Sequence, residues 1–136
     1  MKRGYREVPH VADVALEVWG RDLPELFEHA AEGLFSLAVT VEPGASISAE
    51  RQIDLSAMDL ETLLVGWLNE LLLLYDEHGE GFVDFDVALP APGELSAKVH
   101  ATKDYAGLKA IKAATFHSLA IRQEPGGYRA VVVFDV

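Results

Sequence analysis

Two aspartates at opposite ends of the chain carry the residue types most suited to chemistry. Asp13 closes the stretch Pro9-His10-Val11-Ala12-Asp13, and Asp135 stands in Phe134-Asp135-Val136. The first stretch leads straight into Val14-Ala15-Leu16-Glu17-Val18-Trp19-Gly20. There Val14, Leu16 and Val18 alternate with Ala15, Glu17 and Trp19, the period of a half-buried strand. His10 and Asp13 are therefore expected at a strand mouth, behind a proline that enforces an extended or turning entry. Such a position holds a polar side chain rigidly without burying it. Taken alone, the stretch reads more plainly as an Asx-type turn opening a strand, with His10 half packed.

The far end changes that reading. Asp135 falls in the last expected strand, and a chain terminus at Val136 would set a second negative group within a few ångströms of it. Such a pair is unfavourable unless a cation neutralises it. With Asp13 added, the donors are all oxygen: two side-chain carboxylates, a terminus, main-chain carbonyls and water. That set suits a hard cation, calcium more readily than zinc. No P-loop, Gly-x-Gly-x-x-Gly, Gly-x-Ser-x-Gly or His-Glu-x-x-His occurs. A conventional hydrolase would have to work through Asp, His and Lys groups and a metal-bound water.

Composition narrows the class. The 136 residues suit one domain, 1–136, that buries roughly two-thirds of the unfolded chain's surface. Half of them are hydrophobic, as in a globular chain and not a disordered one. The absence of cysteine removes disulfides, thiolate metal sites and a Cys nucleophile, and it fits a reducing cytoplasm. No apolar run reaches membrane-spanning length, and the basic start Met1-Lys2-Arg3 has no apolar run behind it, so neither a membrane anchor nor a signal peptide is expected. Twenty-two Asp and Glu against 11 Lys and Arg give a net charge of −11. Nucleic-acid binding draws on cationic side chains, so direct RNA or DNA binding is not expected. A cation or a basic protein surface is the better partner.

The elements that must position the aspartates follow in order. Asp22-Leu23-Pro24-Glu25 reads as an N-cap with a proline in the first turn, and helical spacing from Leu23 to Ala38 makes an amphipathic helix, with His29 on its solvated face. A strand is expected over 46–57, with a bulge near Arg51. Ser56 or Asp59 caps a long helix whose stripe runs through Leu63, Leu64, Trp67, Leu68, Leu71 and Leu72 and whose C′ residue is Gly79. Glu70 falls at the edge of that stripe. Val65 and Leu73 lie outside it and mark a possible partner surface.

The second half reads as strands. Over 82–89, Val83, Phe85, Val87 and Leu89 are expected inward and Asp84 and Asp86 on a solvated face. Over 95–101 a hairpin partner follows, then a polar connection over 103–109. A strand over 111–121 and a central, doubly covered strand over 128–136 close the chain. The order predicts an α+β domain of two layers, two main helices packed on one face of a mixed β-sheet.

Five pieces then match a known family in order and spacing. They are His10-Val11-Ala12-Asp13, Leu23-Pro24-Glu25-Leu26-Phe27, the run from Leu63 to Leu72 that contains Asn69-Glu70, Ile111-Lys112-Ala113-Ala114-Thr115-Phe116-His117, and Asp135-Val136. With these the chain resembles archease over almost its whole length. The resemblance implies a small α+β protein that activates the GTP-dependent RNA ligase joining 3′-phosphate and 5′-hydroxyl ends in tRNA splicing and RNA repair. It implies promotion of ligase guanylylation and multiple turnover by a protein that is not itself an enzyme. It also implies a divalent metal, calcium, held by Asp13, Asp135 and Val136, with Lys112, Glu70, His117 and His10 joining Asp13 among the activating residues. Val11 replaces the family's usual Thr and Phe116 its usual Tyr, while both aspartates are intact. Two other readings stay open: a small metal-dependent enzyme using Asp13, Asp135, His10 and Lys112, and a chaperone-like adaptor presenting Val65 and Leu73.

Overall fold

Helix α1 (Leu23–Ala38) begins and ends where local chemistry dictates. The Asp22 carboxylate accepts the Glu25 N–H at 2.9 Å, and the Glu25 carboxylate in turn accepts the Arg21 N–H at 2.9 Å, so two otherwise orphaned donors are satisfied. Helix α2 (Leu60–His78) is capped the same way by Asp59, which accepts the Thr62 N–H at 2.7 Å. Gly79, with φ +63°, ends it in the left-handed conformation. Asp59, and not Ser56, is the cap. In this computed structural model the described residues are 3–9 and 13–136.

Ten strands accompany the helices among the described residues: β1 (Tyr5–Val8), β2 (Val14–Gly20), β3 (Val39–Val41), β4 (Ile47–Ser56), β5 (Gly81–Ala88), β6 (Glu94–Thr102), β7 (Tyr105–Gly107), β8 (Ala113–Thr115), β9 (Arg122–Glu124) and β10 (Gly127–Asp135). One sheet runs β1-β2-β10-β8, with β9 also on β10. A second runs β4-β6-β5, and β3 pairs with β7. Every pairing is antiparallel. The α+β class holds, with the expected single mixed sheet divided into antiparallel pieces. One buried cluster joins them, from Leu16 and Val18 through Leu26, Phe27 and Leu34 to Trp67, Val99, Val132 and Phe134. At its centre Trp67 is fully buried, and its indole N–H donates to the Phe27 carbonyl at 3.0 Å. That bond ties α2 to α1 without leaving the indole donor unpaired.

Several expectations give way to tertiary structure. Val83 faces solvent and Phe82 is buried instead, because the β5–β6 register shifts between Phe82 and Asp84 and turns the side chains by one position. The bulge of β4 lies at Ile47/Ala49, not near Arg51. The 103–109 connection contains β7, paired with β3, a strand too short to show a period. Val65 is buried, leaving Leu73 exposed. His29 is not solvated: its Nδ1 lies 2.6 Å from the Trp19 carbonyl, and its ring packs over Gly4, where a Cβ would sit 1.9 Å from it.

The largest correction concerns 111–121. Only Ala113–Thr115 is strand. The Thr115 Oγ1 accepts the His117 N–H at 3.3 Å, and Ser118 turns the chain at φ +52°. The segment is nonetheless held, because α2 supplies what a neighbouring strand would. The Asn69 amide oxygen accepts the Ala114 N–H at 2.7 Å and its amide donates to the Ala114 carbonyl at 3.2 Å. Eight residues earlier on the helix, Glu61 accepts the Ile121 N–H at 2.9 Å.

Trp67→Phe is expected to destabilise the protein by about 1–3 kcal/mol, from lost volume and the lost bond to Phe27, as urea unfolding would measure. A pH effect follows from Glu28, whose carboxylate accepts the Val87 N–H at 2.9 Å along the free edge of β5. Burial, above all, raises its pKa above the ordinary value; the Val87 N–H opposes this, and Asp86 and Glu32 add to it. The folded carboxyl then holds its proton more tightly than the unfolded one. Its contribution is fully present below the ordinary carboxylate range and is lost as pH rises through the folded value. Glu28→Gln keeps an acceptor for Val87. Melting is expected at a higher temperature than wild type at neutral pH, with the gap closing below pH of about 4.

Candidate functional site

The register between β2 and β10 decides what the two aspartates can do. Gly20 faces Tyr128, Leu16 faces Val132, and Val14 faces Phe134. Asp13 and Asp135 each lie one residue beyond that last pair, at the same end of the sheet. On the other side of β10, Asp135 faces Ala113, and its carbonyl accepts the Lys112 N–H at 2.8 Å. The row continues into α2 through Asn69, bonded twice to Ala114. Three strands and a helix thus converge where the first and last residues of interest meet.

Each sequence candidate can be placed against that row. Asp13 is half-buried at the mouth of β2, Asp135 is exposed as the last residue of β10, and Val136 beyond it is also exposed. Lys112 is exposed immediately before β8, and Glu70 is half-buried on α2 next to Asn69. The strand register brings the first four to one end of the sheet, and Glu70 follows Asn69 on α2. His117 lies on the turn that follows β8, its backbone N–H bonded to Thr115. His10 lies outside the described residues. Among the described residues, no group of three or more His, Cys, Asp and Glu side chains is gathered as a ready metal cluster. Asp13 and Asp135 supply two carboxylates, so a cation there would need main-chain oxygens and water to fill its shell. A hard cation accepts such a shell, and a thiophilic one does not.

Asn69 is the participant that spacing alone does not single out. Its signal is an amide within an otherwise apolar helical run, Leu63 to Leu72. Among side-chain groups, a carboxamide is suited to bond both the N–H and the C=O of one residue at a sheet edge, since it presents a donor and an acceptor side by side. Glu61 does half of that task at Ile121. Together they align α2 along the segment, in the sense opposite to the chain, so that the helix beyond Asn69 lies against residues 110–113.

Residues 5–136 match the Archease protein family (MTH1598/TM1083). Protein archease of Methanosarcina mazei is 34% identical, with 97% of this chain and 95% of that protein covered. Protein archease of Archaeoglobus fulgidus is also 34% identical, over 97% of this chain and 98% of its own. The solution structure of protein 1598 of Methanobacterium thermoautotrophicum superposes with a TM-score of 0.77 at 26% identity, covering 99% of this chain and all of that one. The crystal structure of an archease from Thermotoga maritima, described as a possible chaperone, gives a TM-score of 0.71 at 22% identity over 96% of both chains, a likeness of fold. No helix among the described residues is long and apolar enough to cross a membrane. By family match and by identity across nearly its full length, the chain belongs to the archease family.

Proposed function

We propose that this protein is a non-catalytic, metal-binding activator of a GTP-dependent RNA ligase, the enzyme class that joins 3′-phosphate to 5′-hydroxyl RNA ends in tRNA splicing and repair. It acts in the cytoplasm by promoting ligase guanylylation and repeated turnover. The observation that carries the reading is the meeting of Asp13 and Asp135 at one sheet end, beside Lys112. Family membership supports an activator or chaperone-like role. The charge of −11 supports a division of labour in which the ligase carries the RNA and this protein touches the ligase.

In this reading Asp13, Asp135 and a main-chain oxygen of Val136 hold the cation, and calcium suits the all-oxygen set. The cation neutralises two carboxylates that would otherwise repel, and so holds the end of β10 against the mouth of β2. Lys112, Glu70 and His117 present charge and hydrogen-bonding groups to the ligase around it, and His10 joins them as an activating residue on the family resemblance alone. The adaptor alternative draws on exposed apolar side chains such as Leu73, Leu108 and Phe116. Protection of an unrelated, heat-denatured protein from aggregation would favour it.

Asp13→Ala is expected to abolish stimulation of ligase guanylylation and to weaken calcium binding strongly in a calorimetric titration, with melting in the absence of calcium nearly unchanged, because Asp13 is a rim residue and not a core one. Full stimulation by the folded variant would overturn the metal-centred reading. Lys112→Ala and Glu70→Ala are each expected to lower stimulation while costing about 1 kcal/mol of stability or less. If both variants activate the ligase normally, neither residue belongs to the site.

A further inference from the structure

Beside the aspartate end of the sheet, α2 and residues 110–113 leave an open groove of about 660 Å³ between them. Its helical wall is Asn69, Leu72, Leu73 and Asp76, spaced i, i+3, i+4, i+7 on one face of α2. Its other wall carries Ile111 and Lys112. Leu73 is 50% exposed, in the C-terminal third of a helix whose other apolar residues largely pack inward. The floor is firm: Tyr75 stacks edge-on against Phe35 at 5.8 Å and lies 5.7 Å from Tyr105. Asn69 fixes the opposite wall through its two bonds to Ala114.

The charges around Leu73 are one-sided. Glu70, Asp76 and Glu77 lie within one turn of it on α2, at i−3, i+3 and i+4. Across the groove the lining offers a single cation, Lys112. An apolar side chain set among three carboxylates attracts a surface that is apolar at its centre and positive around it. It repels an acidic one, including a second copy of this chain at −11.

We propose that this groove docks a segment of the partner ligase carrying an apolar anchor flanked by Lys or Arg, laid along α2 as a helix or strand in a groove. The inference rests on the ligase reading above and adds where the two proteins touch. The groove supplies affinity, while the aspartate end, which shares Lys112 with it, supplies activation. A buried apolar anchor within a ring of complementary charge is the usual arrangement of an energetically dominant contact.

The test uses full-length protein with purified ligase, reading affinity by calorimetry and guanylylation in parallel. Leu73→Glu places a fourth carboxylate where the anchor sits, on an exposed position that tolerates a good helix former. It is expected to weaken ligase binding by roughly tenfold or more. Stimulation should recover at high protein concentration. Asp76→Lys should weaken binding as well, and added salt should weaken wild-type binding more than that of Asp76→Lys. Asp13→Ala should bind nearly as wild type and fail to stimulate. Unchanged half-saturation for both groove variants, with wild type stimulating normally, overturns the groove and leaves the ligase reading standing. A wild-type protein that neither binds nor stimulates the ligase overturns both. Loss of self-association, not of ligase binding, in Leu73→Glu would assign the groove to a second copy and overturn the proposal.

Discussion

The antiparallel pairing of β2 with β10 is the constraint on which the rest of the molecule depends. It joins residues 14–20 to residues 128–134 across more than a hundred intervening residues. Closing a loop of that length costs little more than closing one half as long, since the entropy grows only with the logarithm of length. What the pairing demands is a hydrophobic return. Leu16, Val18, Val132 and Phe134 supply it, all at 1% exposure or less. Because side chains alternate along a strand, a slip of one residue in β10 would turn Val132 and Phe134 outward and part Asp13 from Asp135. The packing that stabilises the core is therefore also what sets the candidate site.

Helix α2 is the second organiser. Its apolar stripe packs inward through Leu63, Leu64, Trp67, Leu68 and Leu71, and its rim satisfies the backbone of a segment that has a strand neighbour, β10, on one side only. Buried or half-buried backbone groups need partners, and side chains can provide them as well as strands can. Asn69 and Glu61 do so at Ala114 and Ile121. The arrangement lets 111–121 bend at Ser118 without leaving those groups unpaired. It also keeps Lys112 near Asp135 and leaves the groove beyond Asn69 open.

Charge is distributed to match. Desolvation raises the pKa of Glu28 and Glu32 on the outer face of α1, and Asp86 and Asp84 on β5 add to it. Buried Glu80 is compensated by Arg51, with Nη2 at 2.7 Å, and removal of either partner would leave a charge without its counterion. Over the whole chain acidic side chains outnumber basic ones two to one. A protein so charged meets its partners where they are positive, and long-range repulsion discourages wrong ones.

The sequence by itself determined whatever rests on short-range rules. Both helices, the cap at Asp22, the terminator Gly79 and strands β2, β6 and β10 follow from period, capping oxygens and glycine conformation within a few residues of each site, while the second cap stayed open between Ser56 and Asp59. The two aspartates stood out because their type and strand context are local properties, and five matching pieces in order carried the family. Only the tertiary structure decided the rest. A register shift put Phe82 inside and Val83 outside, a matter of how β5 meets β6. Val65 was buried and His29 enclosed by elements distant in sequence. The expected strand over 111–121 ended at Thr115 and turned at Ser118, and Asn69 and Glu61, distant in sequence, satisfy the backbone it left unpaired, a substitution no local propensity encodes. The meeting of Asp13 with Asp135 belongs to the same class, since it exists only once β2 and β10 have found their register.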